Sequence, residues 1–219
     1  MIAIFDMDGT ILDTLEDLKD SLNYALEVYH MPKRTLKEVR RFVGNGSRRL
    51  IELAVPEGTA NEAKEAVHEA FHAYYKDHCA IKTAPYPGIV GVIKRLKEAG
   101  WYTAVVSNKP EYGVISLCQD YFEGLFDLAV GDIDGRPRKP APHGIYHVLK
   151  TFGISKEEAV YIGDSEVDLA TAENAGLALI MVSWGFRPEA QLRELGAKEI
   201  AHSPAELEKL LLESREQLP

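Results

Sequence analysis

The sequence predicts an α/β protein in which a doubly wound parallel sheet carries an inserted block of helices. An apolar run of strand length, Ile2 to Phe5, is followed by two carboxylates, as expected of a buried parallel strand that leads to a ligand site. Residues 15–83 show helical periodicity, whereas strand and helix patterns alternate after Gly88. The alternation predicts a parallel sheet covered by helices, and its interruption predicts an insertion.

The bulk composition is that of a globular protein and argues against several classes of function. The 219 residues are 46% hydrophobic and 27% charged with a net charge of −9, so a nucleic-acid partner is not expected. Cys79 and Cys118 are too few for a disulfide framework. No apolar run reaches the roughly 18 residues of a membrane helix, and the first residues lack the basic segment of a signal peptide. We therefore expect a cytoplasmic monomer or homodimer with no membrane partner.

The inserted block is predicted to contain about four helices. Their boundary signals are, in chain order, Leu15 and Pro32, the capping box Thr35 and Glu38, the break Gly44-Asn45-Gly46, Pro56, and a second capping box Thr59 and Glu62. We expect a helical cap domain at residues 15–83 and a discontinuous core domain at 1–14 and 84–219. Hinges are expected at residues 12–15 and 83–88, the second stiffened by two prolines.

After Gly88 the pattern predicts the remainder of the sheet. Strands are expected at 103–106, 128–130, 160–162, 178–182 and, shortest of all, 199–201. Helices are expected at 90–99, 110–120, 142–152, 168–174 and 207–212, the last of them capped by Ser203 and Glu206. A polar loop is expected from Gly131 to Lys139.

Asp6 and Asp8 are the residues around which the other motifs are interpreted. Residues two apart on a strand face the same side, and Gly9 allows a turn that aims both carboxylates at one point. Such a pair repels unless a cation lies between the two groups or one holds a proton. Because Mg²⁺ binds carboxylate and phosphate oxygens, we expect Asp6 to act as a nucleophile and Asp8 as a general acid and base. On its own, the stretch is more often an ordinary Asp-Gly turn.

Polar residues also follow three later strands and are expected at the same edge of the sheet. Ser107 and Asn108 can hydrogen-bond a phosphate, and Lys139 can pair with both the phosphate and Asp6. Asp164 can bind Mg²⁺ opposite Asp6, with the backbone carbonyl of Asp8 as a further ligand.

Ser165 and Asp168 are expected to support this arrangement. Ser165 has the position of a helix N-cap, and Asp168 has three open interpretations: it anchors Lys139, it reaches the metal through water, or it favours a helix N-terminus. Each motif alone is more often a turn, a solvated loop or a helix cap. Their joint occurrence in this order favours one shared phosphoryl-transfer site.

Two further patterns give weaker hypotheses. His68 and His72 are spaced to bind zinc from one helix face, but with no third ligand evident a solvated face is favoured. His143 could reach the site, although a position at the start of a helix is favoured. The Lys139–Pro140 bond is predicted to be cis, because the loop must aim Lys139 inward.

The motifs resemble those of the haloacid dehalogenase superfamily of phosphohydrolases. The matching residues are Phe5-Asp6-Met7-Asp8-Gly9-Thr10, Ser107-Asn108, Lys139-Pro140 and Gly163-Asp164-Ser165-x-x-Asp168. The resemblance spans the whole chain and implies a Rossmann-like core with a helical cap inserted after the first strand. It implies Mg²⁺-dependent hydrolysis through a phospho-aspartate on Asp6, with acid–base catalysis by Asp8. Thr10, Ser107, Asn108 and Lys139 would hold the phosphate.

Within that superfamily the chain resembles the phosphoglycolate phosphatases. Phe42-Val43-Gly44-Asn45-Gly46 and Pro85-Tyr86-Pro87-Gly88 carry this resemblance. It implies a cap that closes over a small phosphorylated metabolite, 2-phosphoglycolate, with backbone donors from Gly44, Asn45 and Gly46 near the substrate carboxylate. Arg48 is a candidate clamp for that carboxylate.

Two kinds of alternative remain open from the sequence. Pyrophosphatases, sugar-phosphate phosphatases and β-phosphoglucomutase share the same core. A receiver-like signalling module also gathers aspartates, Mg²⁺ and a lysine on a doubly wound sheet. The receiver is less favoured because it has no lid, and because an acid–base group such as Asp8 would shorten the life of its phospho-aspartate.

Overall fold

A six-stranded parallel sheet is the centre of the structure, a computed structural model that describes residues 1–216. The strands of the chain are β1 (Ile2–Phe5), β2 (Leu12–Asp13), β3 (Ala84–Pro85), β4 (Tyr102–Pro110), β5 (Leu128–Asp132), β6 (Ala159–Gly163), β7 (Ala178–Val182) and β8 (Ile200–Ala201). The large sheet has the order β5-β4-β1-β6-β7-β8, and all neighbours in it are parallel. The predicted doubly wound parallel sheet is confirmed.

Helices cover the sheet and form a continuous segment between β2 and β3. They are α1 (Leu15–Val28), α2 (Leu36–Phe42), α3 (Gly46–Ala54), α4 (Asn61–His78), α5 (Ile89–Glu98), α6 (Glu111–Phe122), α7 (His143–Phe152), α8 (Glu166–Ala175), α9 (Glu189–Glu194) and α10 (Pro204–Glu216), with a 3₁₀ turn at Lys156–Glu158. Within residues 1–216, none of these helices has the combined length and apolar character needed to cross a bilayer.

Strand β1 is buried on both faces because it lies in the middle of the sheet. Ala3 and Phe5 point into the larger hydrophobic core, which also includes side chains of α1 to α4. Ile2 and Ile4 point to the opposite face, where they pack with Ile145 of α7 in a second core. The alternation explains why this strand reads as a continuous apolar run, and it fixes where the residues after Phe5 emerge.

The helical segment, which we define as α1 to α4, lies where the inserted block was predicted. The two-stranded ribbon of β2 and β3 brings its two ends together, with Leu12 paired to Pro85 and Asp13 to Ala84. The division into a core at 1–14 and 84–219 and a cap at 15–83 stays a prediction, and residues 217–219 lie outside the described part of the chain.

Some local predictions were correct and others were wrong. The capping box of Thr35 and Glu38 is present at α2. The proposed box at Thr59 is absent, because its hydroxyl donates to the carbonyl of Pro56 and α4 is preceded instead by Ala60. Strand β4 extends to Pro110 through a register shift after Val106, so it includes the Ser107-Asn108 motif instead of ending before it.

Asp17 joins the helical segment to the chain that leaves it. Its buried carboxylate on α1 accepts hydrogen bonds from the backbone N–H groups of Lys82, at 2.9 and 3.1 Å, and of Thr83, at 2.8 Å. Lys82 and Thr83 lie between α4 and β3, and the side chain of Asp17 serves there as the acceptor for their backbone N–H groups. The contact fixes how α1 meets the segment that leads to β3.

We expect Asp17→Ala to lower the free energy of unfolding by about 1–3 kcal/mol, because it leaves buried N–H donors without an acceptor. Asp20→Ala is the matched control on the same helix. Asp20 is 40% exposed and pairs with Lys19 and Lys82, so its loss should change stability by less than about 0.5 kcal/mol. Urea denaturation measures both variants. Equal losses for the two would show that Asp17 has no special structural role.

Candidate active site at the carboxyl edge of the sheet

The carboxyl ends of three adjacent strands bring the predicted site residues together. Asp6 and Asp8 follow β1, Ser107 and Asn108 lie near the end of β4, and Asp164 follows β6. Because β4, β1 and β6 are neighbours and parallel, their ends meet at one edge of the sheet. The residues were far apart in sequence, and the strand order alone makes them adjacent.

Lys139 reaches this edge from the loop that follows β5. Its Nζ lies 2.9 Å from Oδ1 of Asp6 and 2.8 Å from Oδ1 of Asp168, and it also donates to the hydroxyl of Tyr161 at 2.9 Å. The Lys139–Pro140 bond is cis, as predicted. Burial disfavours the ammonium, but the charges of Asp168 and Asp6 outweigh that cost and raise the pKa of Lys139.

Asp6, Asp164 and Asp168 form a buried acidic cluster. Carboxylate oxygens of the three lie within 4.8 Å of one another, and within residues 1–216 this is the one group of three acidic, histidine or cysteine residues close enough to hold a metal ion. Burial, followed by the charge of Asp168, raises the pKa of Asp6 to about 7 although Lys139 opposes the shift. The same two causes raise the pKa of Asp164. One lysine therefore does not balance the charge of this cluster.

The cluster fits a cation bound by Asp6 and Asp164, with Asp168 in a supporting position. Oδ1 of Asp168 accepts from Lys139 and Tyr161, and Oδ2 accepts from the backbone of residues 164 and 165 and from Ser165 Oγ, so both oxygens are occupied. Asp164 accepts from the backbone N–H of Phe186 at 2.6 Å and from the hydroxyl of Thr10 at 3.4 Å. Thr10 thus contacts Asp164, whereas it was expected to hold phosphate.

Gly9 makes the close approach of Asp164 to the first motif sterically possible. Its φ is +84°, and a Cβ atom at this position would lie only 2.4 Å from Oδ2 of Asp164. Gly9 therefore supplies both the turn and the space, which explains in physical terms why a glycine follows the two acids.

Asp8 lines the same cavity as Asp6 and Asp164, but its carboxylate is outside the group of three and has its own partners. Its Oδ1 accepts from Lys109 Nζ at 2.6 Å and from the hydroxyl of Thr14 at 2.7 Å. Lys109 was not predicted to be a site residue. The one feature of the sequence that points to it is its position directly after Ser107-Asn108. The side chain of Asp8 is therefore not part of the metal-binding group, and ligation by its backbone carbonyl stays a prediction.

The helical segment covers the site and leaves a small cavity. The sheet edge contributes Asp6, Asp8, Ser107, Asn108 and Lys109 to its lining, and the helical segment contributes Leu18, Gly44, Gly46, Ser47, Leu50 and Phe71. The enclosed space for water-sized groups is about 50 Å³, enough for only a few such groups. This arrangement accommodates a small polar molecule.

Two side chains of the sheet edge bind the backbone of the helical segment around the Gly44-Asn45-Gly46 break. Asn108 Nδ2 donates to the carbonyl of Gly44 at 3.0 Å and to that of Lys139 at 3.0 Å. The guanidinium of Arg187, held by Glu166, donates to the carbonyls of Arg40 and Val43, both at 2.8 Å. These contacts place Gly44 and Gly46 in the cavity wall, while Asn45 precedes the first turn of α3.

Comparison with known proteins agrees with this geometry. Residues 3–182 match the family described as haloacid dehalogenase-like hydrolase. The chain belongs to the haloacid dehalogenase-like hydrolases.

Relatives of this haloacid dehalogenase-like hydrolase are phosphatases. The chain is 32% identical to a phosphoglycolate phosphatase of Psychrobacter arcticus, over 90% of both chains. It is 33% identical to phosphoglycolate phosphatase 1 of Pseudomonas aeruginosa, over 87% of this chain and 73% of the relative. The protein is accordingly a phosphoric monoester hydrolase.

Solved structures share the complete fold. A Lactobacillus delbrueckii subsp. bulgaricus protein superposes with a TM-score of 0.91 at 39% identity, covering 96% of this chain and 97% of the other. A Haemophilus somnus protein, described as a predicted phosphoglycolate phosphatase, superposes with a TM-score of 0.86 at 27% identity, covering 95% and 96% of the two chains. The family membership sets the receiver-like alternative aside.

The structure does not bring Arg48 to the cavity of this hydrolase. Arg48 is about half exposed, forms an ion pair with Glu65 and lines a separate cavity between the helical segment and the loop after β5. The neighbouring Ser47 and Leu50 line the cavity at the sheet edge, whereas Arg48 does not. Because Arg48 follows Ser47 directly, its side chain lies about a quarter turn around the helix from that of Ser47. The expected contact between Arg48 and a substrate carboxylate has no support in this placement.

The histidines also lie outside the cavity lining. The Nε2 atoms of His68 and His72 are each 2.9 Å from Ser47 Oγ, in a half-buried cluster, so the favoured solvated face is only partly correct. His143 begins α7 and is exposed, which agrees with the favoured position at the start of a helix.

We expect the acidic cluster to give the metal-free protein a measurable pH dependence of stability. Between about pH 4 and pH 7 folded Asp6 keeps a proton that the unfolded chain has released, since its pKa is about 7 instead of 3.8. Its contribution to stability is therefore greatest at low pH and falls as the pH rises through 7. Asp6→Asn should match the wild type near pH 4 and exceed its unfolding free energy by about 4 kcal/mol near pH 8.

Chemical denaturation in the presence of a chelator measures this difference, with Asp20→Asn as an exposed control. A difference between wild type and Asp6→Asn that stays constant from pH 4 to pH 8 would contradict the raised pKa.

Proposed function

We propose that the protein is a Mg²⁺-dependent phosphatase that hydrolyses 2-phosphoglycolate through a phospho-aspartate on Asp6. The observation that carries this proposal is that Asp6 and Asp8 line one small cavity opposite Ser107 and Asn108, with Lys139 against Asp6. A nucleophile, a proton donor and hydrogen-bond donors for phosphoryl oxygens are thus within one site. The proposed substrate is supported by the names of the phosphoglycolate phosphatase relatives.

In the first half-reaction the carboxylate of Asp6 attacks phosphorus, and the bond from phosphorus to the ester oxygen breaks. Asp8 gives its proton to that oxygen, so the leaving group departs as glycolate. Its hydroxyl group is neutral and its carboxylate is unchanged. The hydroxyl of Ser107, the backbone N–H of Asn108 and the charge of Lys139 would offset the negative charge that develops on the phosphoryl oxygens, while the side-chain amide of Asn108 stays bonded to the carbonyls of Gly44 and Lys139.

In the second half-reaction water attacks the phosphorus of the aspartyl phosphate. Asp8 accepts the proton of that water, the bond between phosphorus and Asp6 breaks, and inorganic phosphate is released. Asp8 ends the cycle with the proton it needs for the next substrate.

We propose Asp6, Asp164 and the backbone carbonyl of Asp8 as the ligands of Mg²⁺, because hard divalent cations take carboxylate and carbonyl oxygens. When bound, the ion would neutralise phosphoryl charge and hold the phosphoryl group in line with Asp6. Ser165 and Asp168 support this site indirectly: Asp168 holds Lys139 and is itself fixed by Ser165.

We propose that the helical segment, residues 15–83, is a cap that closes the cavity and hinges at residues 12–15 and 83–88. Closure would exclude water from the first half-reaction, and reopening would admit it for the second. The contacts of Asn108 and Arg187 with backbone carbonyls of the helical segment would stabilise the closed arrangement.

We expect Asp6→Asn to lower phosphate release from 2-phosphoglycolate with Mg²⁺ by at least about a thousandfold, because the amide cannot form the covalent intermediate. Asp134→Asn, in an exposed loop outside the cavity, is the matched control and should retain activity. A panel of small phosphate esters and hexose 1-phosphate, assayed with the same enzyme, separates the substrate question from the mechanism. Near-normal turnover by Asp6→Asn would overturn the phospho-aspartate mechanism.

A further inference from the structure

Lys109 is a buried cation that the proposed mechanism has not used. Its side chain is 1% exposed and its Nζ lies 2.6 Å from Asp8 Oδ1 and 5.1 Å from the centroid of the Tyr75 ring on α4. Burial disfavours its charge, but the attraction of Asp8 outweighs this and the pKa of Lys109 is raised. The side chain is therefore an ammonium group held between the general acid and the helical segment.

Among the cationic side chains of the described cavity wall, Lys109 has the larger share of its donors uncommitted. The cations in the wall are Lys109 and Arg187. Arg187 uses its donors on Glu166 and on two backbone carbonyls. Lys109 has three N–H donors, of which one is bonded to Asp8 and one can be taken by the nearby Tyr75, so at least one remains for a second anion.

The position of Lys109 identifies which part of a substrate it can reach. Asp8 must lie against the ester oxygen that it protonates, so the carbon attached to that oxygen lies beside Asp8. A carboxylate on that carbon is then next to Lys109, which is bonded to Asp8. Lys139, by contrast, is bonded to the nucleophile Asp6 and faces the phosphoryl group.

We propose that Lys109 is the specificity-determining residue that selects phosphate esters with a carboxylate on the carbon next to the ester oxygen. This inference rests on the proposed function and names the residue that recognises its leaving group. The substrate carboxylate takes up free donors of Lys109 and competes with Asp8 for the ammonium. The same contact therefore couples arrival of the correct substrate to a change in the surroundings of the general acid.

A second anion-binding group lies in the same cavity and must be distinguished from Lys109. The first residues of α3, Gly46 and Ser47, line the cavity, and N–H groups at the start of a helix favour anions. These backbone groups are unchanged by substitutions at position 109. Loss of selectivity in a Lys109 variant would thus assign the preference to the side chain.

The test compares 2-phosphoglycolate with ethyl phosphate, which has the same ester and a methyl group in place of the carboxylate. The variant is Lys109→Gln, which keeps a hydrogen-bond donor for Asp8 but removes the charge. Lys94→Gln, on the exposed face of α5, is the control. The wild type and the control should prefer 2-phosphoglycolate. In Lys109→Gln the ratio of the two kcat/KM values should fall roughly 10- to 100-fold, the usual range for a lost charge-assisted hydrogen bond.

Three outcomes separate the inference from the proposed function. A wild type that does not prefer 2-phosphoglycolate over ethyl phosphate overturns both. A preferring wild type with an unchanged ratio in Lys109→Gln overturns the inference alone, because both substrates then depend on Lys109 equally through Asp8. A reduced ratio supports it. Lys109→Met repeats the test if the Gln variant does not fold, since its apolar stem can still pack on Tyr75 and Thr14 still holds Asp8.

Discussion

The ion pairs of Lys139 with Asp6 and Asp168 are the interaction on which the rest of the site depends. Three carboxylates are buried within a few ångströms of one another, and such a group is costly to bury without compensating charge. Lys139 supplies one positive charge, and Tyr161, Ser165 and two backbone N–H groups occupy the oxygens of Asp168. The charge that remains lies on Asp6 and Asp164, where a cation and a phosphoryl group are expected to meet.

The two buried lysines give the two aspartates of the first motif different surroundings. Lys139 is bonded to Asp6, the proposed nucleophile, whereas Lys109 is bonded to Asp8, the proposed proton donor, and lies near Tyr75 of the helical segment. Each lysine therefore accompanies one of the two aspartates of the first motif. A phosphate ester with an acidic leaving group carries two anionic groups, a phosphoryl group and a carboxylate. Two separate lysines, one beside each aspartate, can each bind one of them.

Residues close to the strand ends could be predicted from the sequence, because strand order turns sequence motifs into neighbours. Asp6, Ser107, Lys139 and Asp164 reach one edge for this reason, and the parallel sheet itself followed from the alternation of strand and helix patterns. The predicted metal ligation by Asp6 and Asp164 is consistent with this placement. The position of a residue at a strand end does not determine which hydrogen-bond partner its side chain takes. The contact of the Thr10 hydroxyl with the Asp164 carboxylate was therefore not predicted.

Residues whose role depends on the helical segment could not be predicted in this way. Lys109 is buried because Tyr75, more than thirty positions earlier, covers it, and Arg187 reaches carbonyls at Arg40 and Val43 across most of the chain. Arg48 was a candidate clamp for the substrate carboxylate, yet the rotation of α3 directs Ser47 and Leu50 to the cavity and leaves Arg48 with Glu65. Sequence motifs do not predict how the helical segment packs on the sheet, because this packing depends on contacts between residues that are distant in sequence.

The central claim is that Asp6 and Asp164 share one divalent cation beside Lys139. Anomalous diffraction from crystals soaked in Mn²⁺, a substitute for Mg²⁺ with the same preference for oxygen ligands, tests it most directly. We expect a single strong peak at about 2 Å from carboxylate oxygens of both Asp6 and Asp164. A peak bound to only one of them, or located away from both, would contradict it.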